Sequence, residues 1–458
     1  MPVFSPEKLA EWSGGTWTRL PAAPVTGVEH DTRSLHAGAL YVALPGERFD
    51  GHDFLTPAAE SGAVAALCAR GRAHPGMACL EVDDPLAALG KIACGYRRTL
   101  GGLVVGITGS AGKTTVKDLL AEMLARRGDT CKTRGNWNNF IGLPLSLLRM
   151  EHSDCFGVFE AGMNRPGEIS KLCSILEPIC GLVTSIGEAH LEAFGAVEGI
   201  AREKISLLAS LPEEGVAVVD LDSPWKDWML RETRARVVGC AFQTEADYQA
   251  RPLPTDPRVL CIRDRRHGID FDIEAPLPGA HMHRNLLHAV AVAREFGLTP
   301  EEISEGAGRF APAPMRWERL RMGSWTVIND AYNANPLSMR SAIRTFAELE
   351  VPVEKWLVLG GMAELGAGET AAHRDLGAYL SGFGFHGVVT IGPKAAWIAD
   401  TARAGQVIPV ATLAEAAAIL RTRAGAGAGI LLKASRSDRL EALLPLLKSQ
   451  PEETRADL

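Results

Sequence analysis

Leu103-Val104-Val105-Gly106-Ile107-Thr108-Gly109-Ser110-Ala111-Gly112-Lys113-Thr114-Thr115 is the stretch from which the rest of the chain can be ordered. Leu103 to Ile107 is a short apolar run of buried-strand character, and the glycines after it break the run. Beyond the break, Val116, Leu119, Leu120, Met123 and Leu124 recur at helical spacing on one face. A strand, a glycine-rich turn and a helix in this order make a phosphate loop. Glycine lets backbone N–H groups turn inward, and the helix N-terminus adds partial positive charge. Gly109, Ser110, Ala111, Gly112, Lys113, Thr114 and Thr115 are therefore read as nucleotide-binding. Lys113 would bridge the β- and γ-phosphates and Thr114 would place its hydroxyl on Mg²⁺. The usual glycine five residues before Gly112 is Ile107 here, so the loop is a shortened G-x-x-G-K-T-T. Alone it leaves kinase, GTPase and ligase open. No Asn-Lys-x-Asp segment follows, which argues against a GTPase.

Outward from the loop, apolar runs at 156–160, 182–186 and 216–220 alternate with helical stretches, which implies a mostly parallel sheet covered on both faces. From about residue 236 to 273 the pattern changes. Residues 269–273 alternate strictly, as half-exposed antiparallel strands do. Ala311-Pro312-Ala313-Pro314 reads as a hinge, and beyond it strands are expected at 326–329, 356–359, 388–391 and 430–432, with an Ala-rich helix at 413–424. Before the loop, Leu40 to Leu44 closes at Pro45-Gly46, and helices are expected near 57–63 and 85–98. The fold class is α/β in three domains. Residues 1–100 form a smaller mixed α/β domain and 101–312 a central domain on a P-loop-type, mostly parallel sheet. Residues 313–458 form a C-terminal Rossmann-like α/β sheet.

Composition agrees. A chain of 458 residues is long enough for roughly three domains at about 150 each. With 46% hydrophobic and 22% charged residues, wholesale disorder and fibrous repeats are excluded. Lys+Arg at 48 against Asp+Glu at 55 gives a net charge of -7, a poor basis for gripping nucleic acid. No apolar run approaches the ~18–20 residues of a membrane helix, and the N-terminal residues, with Pro2, Pro6, Glu7 and Lys8, lack a signal-peptide core. Nine scattered cysteines without a C-x-x-C pair read as buried thiols in a reducing compartment. No nucleic-acid partner, no membrane insertion and a cytoplasmic location are expected.

Two further positions stand at strand ends, where ligands of α/β sheets gather. Glu160 closes the run 156–160, and His190 follows the run 182–186 in Gly187-Glu188-Ala189-His190-Leu191. A carboxylate and an imidazole there could share a divalent ion, although each alone is more often structural. Lys204, taken alone, is a solvated helix charge.

These motifs together resemble the Mur ligase family of ATP-dependent amide ligases. Thr108–Thr115 matches its T-G-S-x-G-K-T-T loop, and Gly135-Asn136-Trp137-Asn138-Asn139-Phe140-Ile141-Gly142-Leu143-Pro144 matches G-N-x-N-N-x-I-G-x-P. Glu160-Ala161-Gly162-Met163-Asn164, Ala189-His190-Leu191-Glu192, and Gly279-x-His281 with Asn285 also match. Asp330-Ala331-Tyr332-Asn333-Ala334-Asn335-Pro336 is similar to the branch that adds D-alanyl-D-alanine, as are Asp31-Thr32-Arg33 and the turn from Gly46 through Glu47 to Phe54. Gly361 stands where the family usually has Asp, and Ala434 replaces Gly.

The resemblance implies that ATP phosphorylates the terminal carboxylate of UDP-MurNAc-tripeptide and that the amine of D-Ala-D-Ala attacks the acyl phosphate. It also implies two Mg²⁺ ions, with Thr114, Glu160, His190 and a carbamylated Lys204 as ligands, and catalytic roles for Lys113, His190 and Lys204. Asn285 and His281 would contact adenine, Arg316 the phosphates and Asp330 the ribose. Thr32, Arg33 and Gly46 would hold the uridine end. Asn136, Asn138 and Asn139 would contact the muramyl peptide, or alternatively cap a helix over 139–149. A monomer working in cytoplasmic peptidoglycan precursor synthesis follows. Another Mur-type amino-acid-adding ligase, a folylpolyglutamate synthase-like ligase and a catalytically silent nucleotide-binding homologue remain as alternatives.

Overall fold

The structure is a computed structural model and describes residues 2–46, 48–350 and 354–448. Glu47, part of the N-terminal turn quoted above, lies outside the described residues, as do 351–353 and 449–458 of the third zone.

The apolar run forms the strand Leu103–Thr108, and the helix Lys113–Leu124 follows. The strand lies inside a nine-stranded sheet, parallel to Phe156–Glu160 on one side and to Cys180–Val183 on the other. From it the chain first builds outward through Thr130–Lys132 and Phe156–Glu160. It then crosses over to build Cys180–Val183, Val216–Asp220 and Arg236–Ala241 on the opposite side. Strand order therefore reverses at Leu103–Thr108, and a crevice opens at the carboxyl ends of the strands around it.

Two readings of this zone need correction. The run expected at 182–186 is the strand Cys180–Val183. Thr184 and Ser185 leave the ladder to brace the phosphate loop: Thr184 Oγ1 donates to the Ala111 carbonyl at 2.5 Å, and the Ser185 carbonyl accepts from the Ser110 N–H at 2.8 Å. Where the pattern changes, Arg236–Ala241 and Tyr248–Leu253 are still parallel additions. The reversal comes with Asp256–Asp264 and Ile269–Glu274, where Ile273 is buried and Ile269 lies open at the sheet edge. The helix read over 139–149 is only Gly142–Leu147.

The third sheet has six strands in the order Glu318–Met322, Trp325–Asn329, Gly429–Lys433, Lys355–Leu359, Gly387–Ile391 and Val407–Val410, parallel except for the first pair. Both edge strands were missed. Glu318–Met322 carries two arginines and Val407–Val410 a proline, features that an edge tolerates and a run of apolar residues does not advertise. The first sheet has five strands, Ala78–Val82, Ala65–Ala69, Leu40–Val42 and Val28–Glu29 in parallel, with Thr16–Trp17 antiparallel at its end.

One apolar cluster runs without interruption from Leu9 and Leu40 through Ile92 and Tyr96 to Leu143, Leu172 and Leu207, so the first and central zones share a core. Tyr96 closes it by donating its hydroxyl to the Met150 carbonyl at 2.7 Å. The third sheet instead has its own cluster on each face, and Leu191 and Leu277 of the central zone reach into one of them. Among the cysteines, Cys155 is exposed, which corrects the reading of all of them as buried thiols.

Candidate active site

The phosphate loop is held from below by the segment that leaves the central sheet. Ser110 Oγ donates to the Gly187 carbonyl at 2.9 Å, and Ser185 Oγ accepts from the Ala111 N–H at 2.9 Å. Gly109 has φ 154°, and a Cβ there would meet Thr184 Oγ1 at 2.0 Å. Gly112 has φ 87°, and a Cβ there would meet Asn285 Oδ1 at 2.6 Å. Both positions thus require glycine for conformation and for space. The helix Lys113–Leu124 begins without a side-chain cap, which leaves the polar end of its first turn for a ligand.

Around this loop is a cleft of about 550 Å³ between the central and third sheets. Ser110 through Thr115, Asn136, Asn138, Asn139, Glu160, His190, Lys204, His281, Asn285, Arg316 and Asp330 all line it. Thr32, Arg33 and Gly46 do not. Arg33 is exposed and paired with Asp31 at 2.6 Å, in the short turn Thr32–Ser34. A second cleft lies at the seam between the first and central zones, where Ser34 and His36 face Lys132, Arg134 and Arg149.

The cations of the main cleft are unusually situated. Lys113 is half-buried, and its Nζ donates to the Gly109 carbonyl at 2.6 Å. Burial holds its ammonium below the ordinary lysine range, with Arg316 adding to the shift and Glu160 opposing it. Lys204, on the helix Val197–Ala209, is 2% exposed, and its Nζ lies 3.7 Å from Met163 Sδ. Burial, reinforced by nearby Lys113, pushes it well below the usual value. The adjacent carboxylate of Glu203 is turned to the start of the helix Glu168–Leu176, accepting from the Gly167 and Ile169 N–H groups at 2.7 Å each.

Thr114 Oγ1 is buried without a hydrogen-bond partner, and buried Glu160 Oε1 accepts no hydrogen bond and has only the Lys117 ammonium 3.5 Å away. Such orphaned oxygens cost free energy unless something else satisfies them. Two hard oxygen donors beside a phosphate loop suit a hard divalent cation such as Mg²⁺. Glu160 Oε2 accepts from Asn138 Nδ2 at 3.3 Å, which ties the asparagine segment to the same carboxylate. Asn139 instead caps a helix, its Oδ1 accepting from the Ile141 and Gly142 N–H groups at 3.1 and 2.8 Å. Asn136 is exposed on the cleft rim. Among the described residues no three His, Cys, Asp or Glu side chains gather as a ready-made metal cluster.

The third sheet closes the cleft. Arg316 stacks over Tyr332, with its guanidinium carbon 4.0 Å from the ring centre, between Met315 and Trp317 at φ 59° and 57°. Asp330 accepts from Lys433 Nζ at 2.6 Å and from the Trp317 N–H at 3.1 Å. Asn335 begins the helix Pro336–Glu348 and reaches across to donate from Nδ2 to the Ser110 carbonyl at 3.2 Å. His281 is half-buried with its ring edge-on to Trp317, and desolvation holds it down to about 4, so it is neutral near pH 7.

Family models for the "Mur ligase family, catalytic domain", the "Mur ligase middle domain" and the "Mur ligase, glutamate ligase domain" match residues 24–97, 107–293 and 315–436. The UDP-N-acetylmuramoyl-tripeptide–D-alanyl-D-alanine ligase of Bacillus subtilis is 36% identical over 438 residues, covering 93% of this chain and 94% of that protein. The chain belongs to the Mur ligase family. Among solved Mur ligases, a MurF crystal structure from Acinetobacter baumannii superposes with a TM-score of 0.89 at 28% identity, over 98% of this chain and 100% of that one. The MurF ligase of Thermotoga maritima in complex with ADP gives a TM-score of 0.80 at 27% identity, over 93% and 97%.

Reasoning from sequence passed over Lys117, which lines the second cleft. It lies one helical turn beyond Lys113, is 1% exposed, and its Nζ stands 3.5 Å from Glu160 Oε1 and 3.3 Å from Asp118 Oδ1. It also donates to the Thr133 and Gly135 carbonyls at 3.1 and 2.8 Å, anchoring the approach to Asn136. The i, i+4 offset from Lys113 on the buried face was the available signal. Asn335, Lys433 and Glu364 stood inside matched motifs without a role.

Proposed function

We propose that this chain joins D-alanyl-D-alanine to the terminal carboxylate of UDP-MurNAc-tripeptide at the expense of ATP, in cytoplasmic peptidoglycan precursor synthesis. The observation that carries the reading is one cleft in which Lys113, Thr114, Glu160 and Lys204 of the central sheet face Arg316, Asp330 and Asn335 of the third. The ADP-bound relative supports the nucleotide, and the likeness to D-alanyl-D-alanine ligases over nearly the whole chain supports the amine.

The tripeptide carboxylate attacks the γ-phosphorus, the bond to the β-phosphate oxygen breaks, and ADP leaves. The free amine of the dipeptide then adds to the acyl carbon, loses a proton, and expels phosphate. Both steps bring anions or developing negative charge together, so alignment and charge neutralisation dominate. The loop and the uncapped helix start hold the phosphates, and Lys113 leaves the Gly109 carbonyl to follow the transferring group. Arg316, fixed by Tyr332 and by the constrained backbone on either side, neutralises charge from the third sheet. Asn285 and His281 line the adenine side, and Asp330 serves the ribose. Mg²⁺ held by Thr114 and Glu160, and a second ion held by His190 and a carbamylated Lys204, would offset phosphate charge when bound.

The division of labour is residues 1–100 for the UDP-sugar, 101–312 for ATP and 313–458 for closure and the dipeptide. Thr32, Arg33 and Gly46 would serve the uridine end. The second cleft, with Lys132, Arg134 and Arg149, offers cationic lining between that end and the phosphate loop. Asn138 and Asn136 lie at the muramyl peptide's entrance to the main cleft. Amine choice tests the reading. With UDP-MurNAc-tripeptide, ATP and Mg²⁺ present, D-Ala-D-Ala should drive phosphate release, whereas diaminopimelate, lysine and glutamate should not. Release with an amino acid in place of the dipeptide would favour another Mur-type activity, and no release with any amine would favour a silent homologue.

A further inference from the structure

Two short segments meet at the seam between the central and third sheets, each on constrained backbone. His190 has φ 60° and Glu364 φ 62°, in the left-handed region that residues other than glycine seldom occupy. Such conformations persist where the surroundings over-determine them, and they concentrate at functional sites. Here the surroundings are each other. His190 Nδ1 lies 2.5 Å from Glu364 Oε2, and the Glu192 N–H donates to the Glu364 carbonyl at 3.1 Å. Leu191, between them in sequence, packs into the apolar cluster of the third sheet. Gly366 passes so close that a Cβ on it would sit 3.4 Å from Glu192 Cα.

The chemistry of the pair is one-sided. Glu364 Oε2 stands 2.5 Å from the ring nitrogen, and a carboxylate in such a contact only accepts. The proton of the contact therefore sits on His190 Nδ1, and the lone pair of a neutral ring sits on Nε2. A histidine without such a partner divides between two tautomers and several ring orientations. A carboxylate on one nitrogen fixes both and makes the other nitrogen a better ligand.

We propose that Glu364 is a positioning residue which, carried on the third domain, fixes His190 as the Nδ1–H tautomer and so completes the divalent-cation site from across the seam. The inference rests on the reading of His190 as a cation ligand. It goes beyond that reading by making cation affinity depend on a residue that touches neither cation nor substrate. Docking itself does not need Glu364. Asn335 Nδ2 still reaches the Ser110 carbonyl at 3.2 Å, and a Cβ on Gly187 would meet Leu337 at 3.1 Å, so the seam keeps other contacts.

The test uses the full chain with Glu364→Ala, Glu364→Gln, Glu364→Asp and His190→Ala. Mn²⁺ affinity is read by electron paramagnetic resonance with ADP present. The Mg²⁺ concentration for half-maximal activity and the KM for D-Ala-D-Ala are measured beside it. Glu364→Ala should weaken both cation constants by about 10–100-fold, the usual cost of losing a ligand's supporting partner. It should leave the melting temperature and the dipeptide KM near those of the parent. Glu364→Asp should recover part of the loss, and Glu364→Gln, which accepts the bond without the charge, should fall between. Parent-like cation constants in Glu364→Ala, or a loss confined to the dipeptide KM, would overturn the proposal. If His190→Ala weakens Mn²⁺ binding while Glu364→Ala does not, only the positioning role falls. If neither substitution changes it, the reading of His190 falls too.

Discussion

Lys113→Ala is expected to lower kcat by at least about 10³-fold, because removal of a single preorganised donor from a developing anion already costs about 10²–10³. The side chain does more than donate one bond. It is half-buried near Arg316 in a cleft of about 550 Å³, where reduced local polarity strengthens its pull on phosphate charge. In the absence of phosphate its Nζ is satisfied by the Gly109 carbonyl at 2.6 Å, a neutral acceptor that the transferring group can replace. The loss should fall on kcat more than on ATP affinity, since the loop N–H groups and Asn285 remain to bind nucleotide. Lys113→Arg should not restore activity, because a planar fork does not substitute for a compact ammonium in a closed loop. Single-turnover ADP formation measures this, and an unchanged rate would remove Lys113 from the chemistry.

Lys204→Ala carries the second large effect, an expected loss of about 10²-fold or more, comparable with loss of a principal charge-stabilising group. A lysine that is 2% exposed, with Met163 Sδ as its hydrogen-bond partner, is poorly placed to stay an ammonium. Burial and neighbouring Lys113 both favour the neutral amine, and Glu203 is committed to the Gly167 and Ile169 N–H groups. A neutral amine is a nucleophile toward CO₂. Its nitrogen adds to the carbon, a proton is released, and the resulting carbamate turns a group that would repel a cation into one that binds it. The variant should therefore regain part of its activity with added formate or acetate, small carboxylates that fit the vacated volume. Simple loss of packing would not respond to them. Lys204→Ala with parent kcat would contradict the carbamate reading outright.

The two ends of this account differ in how far the sequence alone could reach. The loop from Gly109 to Thr115 was legible because phosphate binding needs glycine, lysine and a helix start at fixed local offsets. The parallel strands flanking it were legible because sheets covered on both faces demand continuous apolar runs. The run at 182–186 was read too far toward its C-terminal end, because Thr184 and Ser185 owe their conformation to the Ala111 carbonyl and the Ser110 N–H, groups distant in sequence. Of the edge strands of the third sheet, Glu318–Met322 is masked by its charged residues and Val407–Val410 by its proline. Contacts across the seam were wholly illegible. Asn335 on Ser110 and Glu364 on His190 join segments more than a hundred residues apart, and only packing of the third sheet against the central one creates them. The same holds for Lys117, whose role appears only once Glu160 and the Gly135 carbonyl are placed around it.

The acidic balance of the chain also has a local answer. A net charge of -7 leaves little general attraction for anionic substrates, so on the proposed function the positive charge that matters would be gathered locally, at Lys113, Arg316 and bound Mg²⁺. The central claim is that ATP activates the peptide carboxylate as an acyl phosphate. It is tested most directly with UDP-MurNAc-tripeptide labelled with ¹⁸O in its terminal carboxylate. Turnover with ATP and D-Ala-D-Ala should deliver one labelled oxygen into the released inorganic phosphate, with ADP as the other nucleotide product. Phosphate free of label, or AMP in place of ADP, would contradict the account.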